Sequence, residues 1–297
     1  MASLSERWQD NTLMTVAGVA EQEFPAGALY VVGLPIGNMG DITLRALWVL
    51  SRADTVVAED TRETRKLLDK FGINVRLLSV REHNEVKGAE QVTALLGAGE
   101  RVALVTDAGT PAVSDPGARV VHAVREAGHR VIPIPGASAV VTALSAGGIL
   151  GEGFSFVGFL PPQSKARRTA IARWAARHEP FVFYEAPHRI VDMLRDLAAA
   201  LDPERRVVVA RELTKRFETI VSLAAGELPS WLDTHEPRGE YVILVDEAPH
   251  REEGLTERDR RWLDVLRDLL PASKLAAAAA KATGNDRSAL YDLLTKK

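Results

Sequence analysis

Two loops rich in proline and glycine carry polar residues that could bind a small molecule. The first, residues 106–117, contains two aspartates, two prolines and two glycines, and the second, residues 133–138, ends at Ser138, which can begin a helix. Proline and glycine fix the backbone, so such loops present amides and carbonyls with little ordering cost on binding. The amino end of a helix at Ser138 would favour a carboxylate. The two loops predict a preformed binding site.

Charged side chains follow three predicted strands, at the points where those strands end. Glu59 continues an apolar strand, and the segments 184–189 and 211–218 each combine carboxylates with basic residues. Exposed ion pairs, which contribute little energy, are the ordinary explanation for such clusters. Because ligands bind at the carboxyl ends of parallel strands, the clusters can instead form a substrate wall facing the two loops. Asp60 or Thr61 is the expected cap of the helix that follows Glu59.

Several common catalytic motifs are absent from the sequence. There is no cysteine, which excludes disulfides, thiolate metal sites and cysteine nucleophiles. No Walker-type phosphate loop and no His-Glu-x-x-His motif occurs, so neither NTPase chemistry nor a catalytic metal is expected. The loop at 33–38 lacks the G-x-G-x-x-G pattern, and Pro35 removes an amide that a dinucleotide phosphate would use. Ser138 lacks the second glycine of a nucleophile elbow.

The order of elements predicts an α/β protein with two domains and a helical tail. β-Branched runs alternate with helical patterns from Leu29 to Ser145, which predicts parallel strands joined by crossover helices. A glycine-rich break at 147–153 separates them from a second set of strands, for which some antiparallel pairing is expected. We expect a flexible extension over residues 1–28, α/β domains over 29–147 and 153–246, and a helical tail over 255–297. The predicted strands are 29–33, 55–58, 75–79, 101–106, 130–132, 154–159, 180–184, 206–211, 218–223 and 240–245.

The tail pattern predicts three short helices, the last two joined by a turn at Gly284. A helix-turn-helix that contacts nucleic acid would have this pattern, and so would three small helices packed on a neighbour. Thr256, paired with Asp259, and Ser273 are the expected N-caps of the first two helices. With 37 basic and 40 acidic residues the net charge is −3, so any nucleic acid must meet a local patch.

One stretch of the second domain is strongly basic. Lys165, Arg167, Arg168, Arg173 and Arg177 occur with no acidic residue between Gly153 and Glu179. A solvated helix face is the ordinary explanation, and contact with phosphates is the alternative.

The uncharged run at 131–151 is long enough to cross a bilayer. Its prolines and glycines favour a strand, a turn and a helix in a soluble protein. No basic leader precedes the apolar patch near the amino end. The sequence therefore predicts no membrane association and a cytoplasmic location, in keeping with the absence of cysteine.

Six motifs occur in a familiar order: Leu29–Asn38, Ala58–Arg62, Asp107–Pro111 with Ser114–Gly117, Pro135–Ser138, Gly158–Pro161 and Tyr184–Arg189. Together they resemble the ribosomal RNA small subunit methyltransferase I family, cytidine 2′-O-methyltransferases with the tetrapyrrole methylase fold. The resemblance extends from about Leu29 to the carboxyl end, including the helical tail.

The resemblance implies S-adenosylmethionine as methyl donor, bound in a cleft between two α/β domains. It also implies a homodimer and a cytidine in the decoding region of 16S rRNA as acceptor, so that the partner is 16S rRNA or the small ribosomal subunit. Gly109-Thr110-Pro111 is similar to the Gly-Asp-Pro donor loop of the superfamily, with threonine in the acidic position. The donor-binding residues implied in this way are Leu34, Pro35, Asp107, Gly109, Thr110, Val113, Ser138, Ala139 and Tyr184.

The acceptor side is expected at the charged strand ends. Methyl transfer from a sulfonium is an in-line displacement that needs no metal and no covalent enzyme intermediate. The hydroxyl proton can pass to a carboxylate or to a lysine made neutral by burial. The acceptor-side residues predicted are Glu59, Arg211, Lys215 and Glu218.

Two other functions fit parts of the same sequence. A C-methyltransferase acting on a porphyrinoid would share the fold, although it has no use for the basic stretch and the helical tail. A non-catalytic RNA-binding assembly factor would keep the basic surfaces but would not need the rigid loops.

Overall fold

The computed structural model describes residues 12–81, 84–151, 153–177, 179–248, 255 and 257–295. Two five-stranded sheets belong to one compact unit that ends at Ala248, and the tail forms a second unit from Pro249. The strands are β1 (Ala28–Val32), β2 (Thr55–Ala58), β3 (Arg76–Ser79), β4 (Val102–Leu104), β5 (Arg130–Ile134), β6 (Ser155–Phe159), β7 (Phe181–Glu185), β8 (Arg206–Arg211), β9 (Thr219–Ala224) and β10 (Tyr241–Val245). The helices are α1 (Thr12–Val16), α2 (Leu44–Arg52), α3 (Thr61–Lys70), α4 (Glu85–Gly97), α5 (Ala118–Glu126), α6 (Ala139–Gly147), α7 (Ser164–Ala175), α8 (Ile190–Ala200), α9 (Leu228–Thr234), α10 (Glu257–Arg267), α11 (Ala272–Thr283) and α12 (Arg287–Thr295).

The first sheet is parallel and has the order β3-β2-β4-β1-β5. Its central strands are apolar on both faces, as expected when helices cover both sides of a parallel sheet. Strand β1 lies between β4 and β5, so the loops that follow these three strands meet at one edge. This position, where the strand order reverses, is where open α/β sheets bind ligands.

The second sheet is mixed, with the order β6-β7-β10-β8-β9. Strands β6 and β7 are parallel, whereas the β7-β10, β10-β8 and β8-β9 pairs are antiparallel. The predicted α/β class and the antiparallel pairing are confirmed. Because β10 runs opposite to β7 and β8, its first residues lie at the same edge as the last residues of those two strands.

Most sequence-predicted strands lie within one or two residues of those observed. The segments 55–58 and 206–211 match β2 and β8, while β4 is shorter than the predicted 101–106 and β5 is longer than the predicted 130–132. Asp60 caps α3 as expected, its side chain accepting from the Arg62 amide at 2.8 Å. Helices α1, α5 and α9 have no counterpart in the sequence-based prediction.

The amino-terminal segment differs from the flexible extension predicted over 1–28. Met14 and Val19 are buried in the core of the first sheet, and the Phe24 ring contacts Tyr30 and Trp48. The first eleven residues lie outside the described part. Met14 and Val19 share this core with buried residues of α2 and of the first sheet, and burial of their apolar area stabilises the segment.

Helix α6 packs on the second sheet, although the predicted boundary assigns it to the first domain. Val140 and Ala143 are buried against Val208, Ala210 and other residues of that sheet. The connection between the two α/β halves therefore precedes α6, at Pro135–Ser138, and not at the glycine-rich break. The loop after β5 consequently joins both halves at one edge.

The three tail helices form a small core of their own, made by Leu255, Leu263, Leu275, Ala276, Ala279, Leu290 and Leu294. Ser273 is not the N-cap of α11: the helix begins at Ala272 with Pro271 as N-cap, and the Pro271 carbonyl accepts from the Leu275 amide at 3.0 Å. Proline has a fixed φ suited to this position. Thr256 lies outside the described residues. Within the described ranges, no helix is both long and apolar enough to span a bilayer.

Candidate functional site

A cleft of about 390 Å³ opens between the two α/β halves, at the edges to which their strands point. This volume is within the range of small-molecule sites. The first half and the connection after it contribute Ile36, Glu59, Asp107, Ala108, Gly109, Thr110, Val113, Ser114, Asp115 and Ser138. The second half contributes Ala139, Phe159, Tyr184, Glu185, Ala186, Pro187, Glu212, Leu213, Lys215, Glu240, Tyr241 and Val242.

The loops after β1, β4 and β5 are bound to one another by their backbones. A Cβ atom on Gly33 would lie 2.8 Å from the Gly136 Cα, so only glycine fits where the first and third loops cross. The Leu34 amide donates to the Gly109 carbonyl at 2.8 Å, and the Thr110 hydroxyl donates to the Ala137 carbonyl at 3.1 Å. The side of the cleft formed by these loops is therefore preformed.

The loop after β4 has a strained backbone, and hydrogen bonds to the buried Glu85 hold its end in place. Ala112 and Ser114 have φ values of 66° and 64°, conformations that side chains other than glycine rarely adopt. The buried Glu85 carboxylate accepts from the amides of Gly117 at 2.8 Å and Arg119 at 3.1 Å, and so caps α5 in place of a local side chain. Glu85 thereby fixes the end of the segment that carries Ser114 and Asp115 into the cleft.

Three carboxylates give one side of the cleft a negative potential. Glu59, Asp107 and Asp115 all line it. Burial, followed by the charges of Glu59 and Asp107, raises the pKa of Asp115 to about 6. A positively charged ligand group would relieve this repulsion.

Tyr184, at the end of β7, joins the second half to the start of α6. Its hydroxyl accepts from the Val140 amide at 3.1 Å and hydrogen-bonds to the Ser138 side chain. Burial raises the pKa of Tyr184, so the hydroxyl stays protonated at neutral pH. Its ring packs edge-on against Phe156 and Phe159, and Phe159 is exposed in the cleft. An aromatic surface of this kind suits a flat ligand group.

Lys215, which also lines the cleft, forms an ion-paired bridge with two glutamates. Its Nζ lies 2.8 Å from Glu212 Oε1 and 2.8 Å from Glu240 Oε2. Burial alone would lower the pKa of Lys215, but the hydrogen bonds and charges of the two glutamates outweigh it and raise that pKa. Burial alone would raise the pKa of Glu212, but hydrogen bonds from Lys215 and the Glu240 amide lower it. Lys215 is therefore a cation, and the neutral lysine base considered from the sequence does not fit these contacts.

The structure brings most of the sequence-predicted site residues together, but not all. Nine of the predicted residues line the cleft: Glu59, Asp107, Gly109, Thr110, Val113, Ser138, Ala139, Tyr184 and Lys215. Leu34 and Pro35 are buried behind it and contribute backbone contacts to Gly109. Arg211 lies in β8 beside Tyr241, and the exposed Glu218 accepts from the Thr214 amide, so neither lines the cleft.

Sequence reasoning missed several cleft residues. Asp115 and Glu212 lie within the predicted loop 106–117 and the charged segment 211–218, and their acidic type is the signal that could have identified them. Glu240 and Tyr241 gave no such signal, because only the antiparallel placement of β10 brings them to this edge.

The basic stretch divides into structural and exposed residues. Arg167 is buried and lies 2.7 Å from Asp196, while Arg177 pairs with Glu179 and lies over the Trp174 ring. Lys165, Arg168 and Arg173 are exposed on α7. These three, and Arg177 in its exposed pair, are accessible for phosphate contact, whereas Arg167 is not. In the described ranges, no group of three or more His, Asp or Glu side chains has a geometry suited to holding a metal ion.

Several known proteins share the fold of this chain, and others are also similar to it in sequence. The family model for tetrapyrrole (corrin/porphyrin) methylases matches residues 28–229. The methyltransferase CobJ superposes with a TM-score of 0.58 at 21% identity, over 77% of this chain and 98% of that one. Uroporphyrin-III-C-methyltransferase from Thermus thermophilus superposes with a TM-score of 0.53 at 22% identity, over 74% of this chain and 94% of that one. At these identities the likeness shows the fold alone.

Two relatives named ribosomal RNA small subunit methyltransferase I are much more similar. The protein from Neisseria meningitidis serogroup B is 49% identical over 92% of this chain and 95% of its own length. The protein from Escherichia coli O157:H7 is 47% identical over 89% of this chain and 93% of its own. The order of motifs, the fold and these identities agree, and the chain belongs to the ribosomal RNA small subunit methyltransferase I family.

Proposed function

We propose that this protein transfers a methyl group from S-adenosylmethionine to the ribose 2′-hydroxyl of a cytidine in the decoding region of 16S rRNA. The observation that carries the proposal is the cleft. It is lined by three rigid loops, by the carboxylates of Glu59, Asp107 and Asp115, and by the ion-paired Lys215. The family relationship supports rRNA as the acceptor.

The cleft residues fit the donor in shape and in charge. The glycine crossing and the exposed edges of the loops after β4 and β5 provide a cradle for a nucleoside. The donor supplies an electrophilic methyl group on a positively charged sulfur. The side formed by Glu59, Asp107 and Asp115 favours that charge, whereas Gly109, Thr110, Val113, Ser138, Ala139 and Tyr184 would hold the rest of the molecule.

Catalysis by these residues rests mainly on alignment. Holding a sugar oxygen in line with the methyl group can contribute roughly 7–11 kcal/mol to lowering the barrier. The raised pKa of Lys215 makes this residue a cation that binds, and not a base. Glu59 and Asp115 are the groups of the cleft that we assign to accept the hydroxyl proton, which typically adds ~10²- to 10⁴-fold.

Calorimetric titration with S-adenosylmethionine tests donor binding. Thr110→Arg and Ser138→Trp should weaken binding strongly, because each places a large side chain in the cleft. Thr169→Arg, a substitution on the exposed face of α7, is the matched control and should bind like the wild type. A flat titration of the folded wild-type protein would remove the methyltransferase proposal and leave the RNA-binding assembly factor.

The acceptor is tested in cells that lack the gene. Mass spectrometry of 16S rRNA should show the loss of one 2′-O-methylcytidine in the decoding region, and complementation should restore it. If this nucleotide of 16S rRNA were unchanged in the deletion strain, while the purified protein still bound the donor, the porphyrinoid reaction would be favoured.

The proposal extends to partners and location. The rRNA substrate supports a cytoplasmic site of action on 16S rRNA or the small subunit, and the family resemblance supports a homodimer. Sedimentation analysis should give twice the chain mass of 32.3 kDa. A monomer at working concentration would overturn the dimer.

A further inference from the structure

The bridge formed by Lys215 with Glu212 and Glu240 is asymmetric. The Glu212 side chain is 20% exposed, whereas that of Glu240 is 78% exposed, although both carboxylates lie 2.8 Å from the same ammonium. The two halves of the bridge therefore differ in how readily solvent, or another anion, can replace them.

Glu212 is fixed in place by its surroundings. Its Oε1 also accepts from the Glu240 amide at 3.0 Å, and its own amide donates to the Glu240 carbonyl at 3.0 Å. A Cβ atom on Gly239 would lie 2.4 Å from the Glu212 Cγ, so this glycine is required for the side chain to lie there. Glu212 and Thr214 have φ values of 50° and 67°, which shows that the turn is held in a strained conformation. Glu212 is thus a permanent partner of Lys215.

Lys215 is fixed as well, and across the cleft. A Cβ atom on Gly37 would lie 2.5 Å from the Lys215 Cγ and 2.8 Å from its Cε, so the lysine stem crosses directly over the loop after β1. The ammonium is consequently held where the loop after β1 meets the second half. Ordering of the stem removes the entropy cost that a free lysine would pay on binding.

The Glu240 carboxylate has no comparable support. Within the described residues, Lys215 is the only side chain with which it is paired. An exposed ion pair of this kind contributes little, so another anion can displace the Glu240 carboxylate at small cost. A phosphate of an RNA strand is such an anion, and its oxygens accept from an ammonium as a carboxylate does.

We propose that Lys215 is a contact for a backbone phosphate of the acceptor RNA, and that Glu240 occupies the place of this phosphate in the free protein. The inference rests on the proposed RNA substrate. Glu240 then acts as a built-in competitor: it keeps the lysine oriented between reactions and weakens RNA binding by the free energy of one exposed ion pair. Binding of the phosphate moves Glu240 into solvent, and Glu212 remains.

The test measures the affinity for a labelled 20-nucleotide single-stranded RNA by fluorescence anisotropy. Glu240→Gln should tighten binding about two- to fivefold at 50 mM salt, since it removes the competitor. The gain should shrink at 200 mM salt, because phosphate contacts are screened and compete with counterions. Glu63→Gln is the matched control, as it breaks another exposed Glu–Lys pair, with 2.7 Å between Lys66 Nζ and Glu63 Oε1, away from the cleft. The control should stay close to the wild type.

A second comparison distinguishes the effect of the Lys215 ammonium on RNA binding from the effect of the protein's net charge. In Lys215→Met the further change Glu240→Gln should bring no gain, since no ammonium is left to release. The same gain with and without Lys215, or an equal gain in the Glu63→Gln control, would overturn the proposal. So would an unchanged affinity in Glu240→Gln.

Calorimetry with S-adenosylmethionine completes the test. If Glu240→Gln tightens donor binding and not RNA binding, the anion that replaces Glu240 is the donor carboxylate, and the phosphate assignment is wrong. Because the RNA measurement involves no methyl transfer, its failure is distinct from a failure of the proposed reaction, which the donor titration and the rRNA analysis detect.

Discussion

Gly33 and Gly136 meet backbone to backbone, and a Cβ on Gly136 would lie 2.5 Å from the Gly33 carbonyl oxygen. This contact brings the loops after β1 and β5 into the cradle that faces the cleft. The two glycines therefore determine the shape of the side of the cleft that we propose binds the donor, although neither lines it.

Gly136→Ala should separate the two loops. Steric overlap of this kind costs roughly 1–3 kcal/mol of the free energy of unfolding. The dissociation constant for S-adenosylmethionine should rise by about tenfold or more, because misplacement by ~1 Å is costly in a preorganised site. Thermal unfolding and calorimetry measure the two effects. Gly97→Ala, at a helical glycine with open space around it, should leave the donor affinity unchanged and should not lower the stability. An unchanged donor affinity in Gly136→Ala would contradict the cradle.

Donor binding should depend on pH through Asp115. Its pKa, raised to about 6 by burial and by Glu59 and Asp107, means that the carboxyl is largely protonated below pH 6 in the free protein. A bound sulfonium favours the ionised form and lowers this pKa, so affinity should rise with pH between about 5 and 7 and then level off. The expected gain is roughly tenfold.

S-adenosylhomocysteine provides the control for this pH effect. Its sulfur is uncharged, while its amino and carboxyl groups are those of the donor, so its affinity should change much less over the same range. Asp115→Asn should flatten the donor curve. If the affinities for donor and product changed with pH in parallel in the wild type, an electrostatic role for the Asp115 carboxylate would be excluded.

Glu59→Gln should reduce the rate of methyl transfer more than it changes donor binding. If Glu59 accepts the hydroxyl proton, kcat should fall ~10²-fold or more, with the donor dissociation constant rising only severalfold. Glu63→Gln removes the same charge one helical turn away and should retain activity. Single-turnover assays with small ribosomal subunits from cells lacking the gene measure the step. An unchanged rate would leave Asp115 as the proton acceptor.

Ending the chain after Ala248 should impair methylation of rRNA more than donor affinity. The tail has an apolar core of its own and belongs to a separate compact unit that starts at Pro249. Donor titration and methylation assays of the truncated protein test this directly. Equal losses in both measurements would show that the tail stabilises the α/β unit and does not serve the RNA.

The local sequence determined the elements and one side of the cleft. Alternation of β-branched and amphipathic segments located all ten strands to within a few residues, because burial of parallel strands leaves a clear apolar pattern. Proline, glycine and aspartate in the loop after β4 indicated a rigid binding segment, because the effect of these residue types on the backbone is local and can be recognised from the sequence. Met14 and Val19 gave no comparable signal, since their burial depends on a distant helix.

The residues on the other side of the cleft could be identified only from the tertiary structure. Helix α6 follows the first sheet in the chain but packs on the second, and Glu240 reaches Lys215 because β10 enters the sheet antiparallel between β7 and β8. Pairing of this kind depends on contacts between residues far apart in sequence, which no local pattern records. The pKa shifts of Asp115 and Lys215 follow from the same long-range placement, since burial and neighbouring groups move each pKa away from the ordinary value of its residue type.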